Sequence, residues 1–144
     1  LMLSDIVTYL EGKTTITAYV GTSDHRIYVA RRPQGDTLPS IVVDMISSDH
    51  VGHLNGAGGI VQSSIEITSY SDSSLEAEQM GDAVRLVFDG FDSGDGSIGT
   101  LKVRGVDLIS SSLVYVPPID SSDVGVYSWE QDFDFWHPET IPSF

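Results

Sequence analysis

The sequence predicts an α+β fold: a mostly antiparallel β-sheet with an N-terminal helix and one main helix packed on one face. Two observations predict it. Several runs are rich in β-branched and aromatic residues, and two other segments repeat their apolar residues with the period of a helix. The predicted order is helix, strand, strand, strand, helix, strand, strand. With 144 residues and 40% hydrophobic content, residues 1–144 are expected to form a single domain with its own core.

The first element is a short amphipathic helix. Leu3, Ile6, Val7 and Leu10 recur at i, i+3, i+4 and i+7, with Ser4 as the expected N-cap and Gly12 as the expected end. Residues 14–20 fit either a further helical turn or a strand, because β-branched residues crowd their first half.

The stretch from residue 26 to residue 47 organises the rest of the chain. Arg26–Ala30 and Ile41–Ile46 are predicted strands, and the prolines and glycine between them predict a loop. Ser48–Gly59 holds four glycines and shows no period. We therefore expect a long loop there, of the kind that is usually functional or mobile.

The second half of the chain adds one helix and three strands. Ile60–Tyr70 alternates as a half-exposed strand, and residues 74–89 have helical spacing that begins with a Ser73/Glu76 capping box. Thr100–Ser112 and Val124–Trp136 are predicted strands. The connections are predicted loops and the end of the chain is predicted to be irregular, at residues 92–99, 117–123 and after residue 137.

The charge balance restricts the function. Seven basic residues face 21 acidic ones, giving a net charge of −14 and a pI near 4.2. A protein that binds nucleic acid by neutralising phosphates needs a basic patch, which this composition does not supply. Two interpretations remain open. The surface is adapted to molar salt, where the screening length falls to about 3 Å, or it must not adhere to DNA.

Several classes of site are excluded or disfavoured. The absence of cysteine excludes disulfides, thiolate zinc sites and cysteine nucleophiles. No apolar run is long enough for a transmembrane span, and the first residues lack the basic region of a secretory signal.

Three groups of residues have the composition of a possible chemical site. His50 and His53, with Asp49 beside them, have a spacing that could bind a metal, but a third ligand is missing. Gly56–Gly59 lacks the lysine and the helix start of a phosphate-binding loop. Asp132 and Asp134 share the polar face of a strand, where solvated carboxylates are the simpler interpretation. No catalytic residue, metal site or cofactor is therefore predicted.

Arg31 and Arg32 form the only adjacent basic pair. They could dock on an acidic patch of a neighbouring subunit, because arginine forms bidentate pairs with carboxylates. A solvated pair is the alternative, since exposed ion pairs contribute only about 0–1 kcal/mol. Taken together, the residues indicate a protein whose function is contact.

A set of short motifs, in order along the chain, resembles the siphovirus tail-completion (tail terminator) family. The chain has R-I-Y at 26–28, P-Q-G at 33–35, L-P at 38–39, I-V at 41–42 and I-S at 46–47. The family pattern L-x-G-x-x-G, a helix ending in L-D-G and a closing D-F-x-V-W strand correspond to residues 54–59, 87–90 and 132–136.

The resemblance implies a structural protein of the virion without enzymatic activity. Family members form a hexameric ring at the head-proximal end of the tail tube, stop its growth and join the tail to the connector. The implied partners are further copies of the chain, the tail tube protein and a head-completion or connector protein. Genome DNA would pass through the lumen without specific binding, and no membrane is involved. The implied locations are the tail or neck of the virion and the host cytoplasm during assembly.

The chain departs from the family in its many aspartates and in the segment Asp120–Asp123, which has no counterpart. With the shortage of lysine, this suggests a tailed virus of a halophilic host, such as an archaeon. We expect Ser48–Gly59 to reach axially or into a neighbour and Arg31 and Arg32 to contact an adjacent subunit. The expected subunit or neck interface comprises Arg31, Arg32, Asp49, His50, His53, Leu54 and Asn55.

Three alternatives to a tail terminator remain. The first is another ring protein of the neck or head-completion type. The second is a monomeric protein-binding module. The third is a small metal-dependent hydrolase that uses His50, His53 and a nearby aspartate.

Overall fold

A computed structural model describes residues 2–23, 25–31, 37–53, 56–88, 97–98, 101–103, 105–117 and 125–138. The helices are α1 (Met2–Glu11), α2 (Thr14–Val20) and α3 (Ser74–Phe88). The strands are β1 (Ile27–Val29), β2 (Ser40–His53), β3 (Gly56–Ser71), β4 (Ser97–Ile98), β5 (Leu101–Lys102), β6 (Gly105–Val116) and β7 (Val126–Pro138).

The main sheet has five strands in the order β1-β2-β3-β7-β6. β1 runs parallel to β2, and every other neighbouring pair in this sheet is antiparallel. β4 and β5 pair with each other as a separate two-stranded ribbon. The helices pack on one face of the main sheet, in a single apolar cluster with its strands. The structure confirms the predicted α+β class.

The core lies between the helices and this face of the sheet. Phe88 of α3 is 1% exposed, and its ring centroid lies 5.5 Å from that of Phe133 and 5.3 Å from that of Phe135, both on β7. Ile65 and Ile67 of β3 are fully buried beside them. The period-two pattern of β3 and β7 thus turns one side of each strand to the helices. We call this side the helix face and the opposite side the open face.

The start of α3 shows one half of the predicted capping box. The backbone N–H of Glu76 donates a hydrogen bond to Ser73 Oγ at 3.4 Å. The Glu76 carboxylate accepts from Ser71 Oγ at 2.7 Å, whereas the Ser73 N–H donates to Ser71 Oγ at 3.1 Å. A carboxylate in the first turn is also favoured by the helix dipole. The prediction for the start of this helix is confirmed.

In the N-terminal region, the start of α1 differs from the prediction, and residues 14–20 prove to be a helix and not a strand. α1 begins at Met2, so Ser4 lies inside the helix and is not its cap. Residues 14–20 form helix α2, which buries Ile16 and Val20 on one side. Thr17 is buried with them. Residues three apart, such as Thr17 and Val20, share a face in a helix but lie on opposite faces in a strand, so packing of this set outweighs the strand preference of the threonines.

The predicted loop Ser48–Gly59 is wrong for its described residues. β2 continues to His53 and β3 begins at Gly56, so the two strands form one long antiparallel hairpin, with a register shift between Val51 and Gly52. Glycine keeps both backbone hydrogen-bonding groups, and pairing started in the core can therefore continue through a glycine-rich segment. Residues 54 and 55 lie outside the described residues.

The last strands also differ from the prediction in their bounds. Thr100–Ser112 was expected as one strand, whereas β5 and β6 divide it and β6 continues to Val116. Most of the predicted loops at 92–99 and 117–123, and the end of the chain after Pro138, lie outside the described residues. None of the helices in the described part of the chain has the length and hydropathy needed to cross a membrane.

Candidate functional site

The open face of the sheet carries a row of carboxylates. The strand register places Asp44 of β2 opposite Glu66 of β3, and Glu66 opposite Asp132 of β7. Two residues further along β7, Asp134 lies opposite Asp107 of β6. Side chains directly opposite one another in a sheet are about 5 Å apart at Cβ. This acidic face is therefore a region of concentrated negative charge.

Neutral groups hold these carboxylates in place. Asp134 accepts hydrogen bonds from Gln62 Nε2 at 2.7 Å and from Ser64 Oγ at 2.9 Å. Asp132 Oδ2 accepts one from Ser110 Oγ at 3.0 Å. Strands β2, β3, β6 and β7 contain no lysine or arginine. The side chains are thus positioned without a basic partner from these strands to cancel their charge.

Glu66 lies in the middle of this row of carboxylates, between Asp44 and Asp132. Its pKa is raised above the ordinary value of 4.5 by partial burial and then by the negative charges of Glu130, Asp132 and Asp44. A weak hydrogen bond from Thr68 Oγ1, 3.5 Å away, acts in the opposite direction. Like charges disfavour ionisation of a carboxyl group. Burial is therefore the main cause of the raised pKa of Glu66, and the neighbouring carboxylates of the acidic face add to it.

The predicted interface residues fall into two separate places. Arg31 follows β1, is exposed, and its backbone N–H donates to Val29 O at 2.8 Å. Asp49, His50 and His53 lie on β2, opposite Gln62, Val61 and Gly56. β1 ends opposite Val43, and His50 lies seven residues further along β2, about 23 Å for a regular strand. The structure does not bring the arginine and the histidines together. Arg32, Leu54 and Asn55 lie outside the described residues.

The outer end of the β2–β3 hairpin extends past its neighbours. Among the described residues, β7 pairs with β3 only as far as Ile60, opposite Pro138, and β1 pairs with β2 only up to Val43. The pairs Gly52–Ala57 and His53–Gly56 therefore continue beyond the five-stranded part of the sheet. We call residues 52–53 and 56–59 the hairpin arm.

The chemistry expected of a hydrolase has little support in the described residues. No three histidines, aspartates or glutamates among them are placed to hold a metal ion. Ser63 Oγ lies 2.9 Å from His137 Nε2 and 3.0 Å from Ser48 Oγ. Ser63 is 0% exposed, however, so its hydroxyl cannot reach a substrate. These contacts connect β2, β3 and β7 across the sheet.

Sequence reasoning missed two features. The second half of β6 exposes several apolar side chains, whose only signal was a run of nine residues without charge, Leu108–Val116. The second missed feature is the role of Arg26, which was predicted only as the start of a strand. The Arg26 guanidinium donates to Pro39 O at 2.9 Å and to Tyr19 O at 3.1 Å, and these two hydrogen bonds connect α2 to the start of β2.

Comparison with known proteins identifies the family. The family model described as tail completion protein gp17 matches residues 4–137. Among solved structures, a chain of the virion of a native gene transfer agent particle has the same fold, with a TM-score of 0.62 at 16% sequence identity. That similarity covers 96% of this chain and 95% of the other. Comparison with curated protein sequences gives no match.

The family match spans α1 to β7, and thus includes both the acidic face and the β2–β3 hairpin. It agrees with the predicted resemblance and supports a structural role in the tail. The chain belongs to the gp17 family of tail-completion proteins and is a structural component of a virion tail.

Proposed function

We propose that the chain assembles into a homohexameric ring at the head-proximal end of a long non-contractile tail, where it ends growth of the tube and joins the tail to the capsid connector. The match to the tail-completion family along residues 4–137 carries this proposal. In it, residues 1–144 act as one tail-terminator domain without enzymatic activity, in the virion and, during assembly, in the host cytoplasm.

The acidic face gives the ring its lumen. Genome DNA must pass through the ring without adhering to it, and carboxylates repel phosphates. Asp44, Glu66 and Asp132 lie in one row on this face, and the helices cover only the opposite side of the sheet. In the proposed ring the acidic face is turned towards the axis, and the helices lie outside.

The partners are the tail tube protein on one side and a head-completion or connector protein on the other. The hairpin arm supports axial contact, because it extends beyond the five-stranded part of the sheet. Arg31 leaves the short edge strand β1 with an exposed side chain. We assign it, with Arg32, to contact with a carboxylate of an adjacent subunit.

The proposed ring depends on the salt concentration. With a net charge of −14, copies of the chain repel one another in dilute buffer, and screening at molar salt removes most of that repulsion. We therefore infer a virus of a halophilic, archaeal-type host, with a ring that is most stable at high ionic strength.

The test is the mass of the purified protein in solution, measured by light scattering in low and in molar salt. A six-fold mass that is present or strengthened in molar salt is expected. The same sample is then mixed with purified tail tubes and viewed by electron microscopy, where density capping one end of each tube is expected. A protein that stays monomeric in molar salt and leaves tubes uncapped contradicts the proposal. Rings that bind the connector but never the tube indicate a different neck protein.

A further inference from the structure

Strand β6 forms one edge of the main sheet. It pairs with β7 from Gly105 to Val116, and no other described strand pairs with it. The opposite edge of β6 therefore presents backbone N–H and C=O groups along a twelve-residue strand. Free edges of this length are templates for pairing with another chain.

Beyond the register shift between Leu108 and Ser110, this edge lacks the usual protection against association. Proteins protect edge strands with charged residues, proline or short length. β6 has no charged residue from Leu108 to Val116 and no proline within the strand. It also exposes five apolar side chains, with exposed fractions of 37–59%: Ile109, Leu113, Val114, Tyr115 and Val116. A contiguous exposed apolar strand of this kind is typical of an interaction surface.

A second free stretch lies at the other side of the sheet. β1 covers β2 only at Ile41, Val42 and Val43, so β2 has no neighbour on that side from Asp44 onwards among the described residues. Met45 and Ile46 are 37% and 56% exposed there. The sheet thus ends in two different free edges, which is what a head-to-tail contact requires.

The strand directions fit an antiparallel junction. β2 is antiparallel to β3, β3 to β7 and β7 to β6, so β6 runs opposite to β2 within one subunit. A rotation about an axis along the strands keeps each strand direction. In a ring built on such an axis, β6 of one subunit is antiparallel to β2 of the next.

We propose that a second copy of this chain occupies the β6 edge, by pairing the free stretch of its β2 with β6 so that the sheets continue from subunit to subunit. This inference rests on the proposed ring and names the surface that closes it. Electrostatics favours this occupant. Copies of so acidic a chain approach most easily where one strand is uncharged, because Asp44 on β2 then meets no carboxylate across the junction.

The absence of cysteine allows a clean cross-linking test. Ser112→Cys on β6 and Ser47→Cys on β2 are both exposed positions on the open face. The two single variants, distinguished by mass tags, are mixed in molar salt, dissociated, reassembled and treated with a short bis-maleimide. We expect cross-links between S112C and S47C in the mixture, and none in either variant alone.

The outcomes separate this inference from the proposed function. A six-fold mass without S112C–S47C cross-links overturns the edge pairing and leaves the ring intact. Cross-links between two S112C chains indicate a two-fold contact and also overturn it. S112C–S47C cross-links in open chains of variable length, without a closed hexamer, support the edge pairing and contradict the ring.

Substitution provides a second test. Leu113→Lys with Val116→Lys adds two charges to the β6 edge and is expected to reduce association by at least tenfold. The matched control is Leu75→Lys with Leu86→Lys on α3, where the side chains are 62% and 63% exposed. Both variants lower the net negative charge equally, so general repulsion should fall in both. Association that weakens equally in both variants, or in neither, overturns the proposal; circular dichroism verifies that each is folded.

Discussion

Gly81 permits the close approach of α3 to strand β7, and its replacement by alanine is the sharpest test of the packing described above. A Cβ atom at this position would lie 2.1 Å from Trp129 Cδ1 and 2.5 Å from Trp129 Nε1. Contacts below 3.0 Å are not tolerated, so the helix or the indole must move. Gly81 O also accepts a buried hydrogen bond from Gln131 Nε2 at 2.9 Å.

The expected effect of Gly81→Ala is the sum of opposed contributions. Alanine favours a helix interior over glycine by about 1 kcal/mol. Overpacking a tight contact costs about 1–3 kcal/mol, and loss of the partner of a buried polar group costs a further 1–3 kcal/mol or so. Gln131 Oε1 already lacks a partner in the described part of the chain. We therefore expect a net destabilisation of about 2 kcal/mol, with packing outweighing helix propensity.

The assay is urea unfolding monitored by the fluorescence of the two tryptophans, with the slope of the transition unchanged. Ala83→Gly, in the same helix, is the control for the propensity contribution and sets an upper bound on it, because the methyl group of Ala83 also packs against the core. Adding Trp129→Leu to Gly81→Ala should destabilise by less than the sum of the single changes, because the smaller side chain relieves the overlap. A Gly81→Ala protein as stable as the wild type would refute the reasoning.

Three further predictions concern charge. Because folding raises the pKa of Glu66, its contribution to stability is present below about pH 4.5, the unfolded value, and is lost as the pH rises through the folded value. Glu66→Gln should therefore raise the melting temperature at pH 7, by roughly 2–4 °C for each kcal/mol gained in the free energy of unfolding. The gain should vanish below about pH 4.5; an equal gain at pH 7 and in acid would contradict this. Arg31→Glu with Arg32→Glu should abolish hexamers seen by light scattering, whereas Lys13→Glu should not; hexamers that persist in the double variant would exclude these arginines from the contact. Arg26→Ala should lower the free energy of unfolding in urea by about 1.5–3 kcal/mol through two lost charged hydrogen bonds, with Arg26→Lys intermediate and an unchanged Arg26→Ala protein as the contrary result.

The sequence predicted those elements whose pattern is set by burial on one side. α3 has a capping box and an apolar stripe, and β3 and β7 alternate between the helix face and the open face. In each case the residues themselves record which side meets the core. The acidic side of β7 was predicted in the same way, because Asp132 and Asp134 occupy the alternate positions.

The elements that the sequence did not predict depend on distant partners. The hairpin arm has no alternation, and its pairing follows from the register that β2 and β3 adopt in the core. α2 is helical because Ile16, Thr17 and Val20 are buried together on one face, which its threonines do not indicate. Thr100–Ser112 was predicted as a strand without a position in the sheet, and β6 proves to be exposed at the edge of the sheet. Exposure at an edge is a property of strand order, which local sequence does not encode.

The acidic face and the uncharged β6 edge have complementary roles in the proposed assembly. An acidic chain gains protection from non-specific contact with DNA and with other proteins, but the same charge opposes its own assembly. A ring of such chains needs at least one contact that salt screening leaves undisturbed, and hydrogen bonds along a strand edge with apolar side chains have that property. In the proposed ring, β6 supplies this contact without a charge from Leu108 to Val116, while Asp44, Glu66 and Asp132 keep the neighbouring face acidic. We infer that separating charge and association onto different surfaces of one sheet would let such a ring close around DNA without binding it.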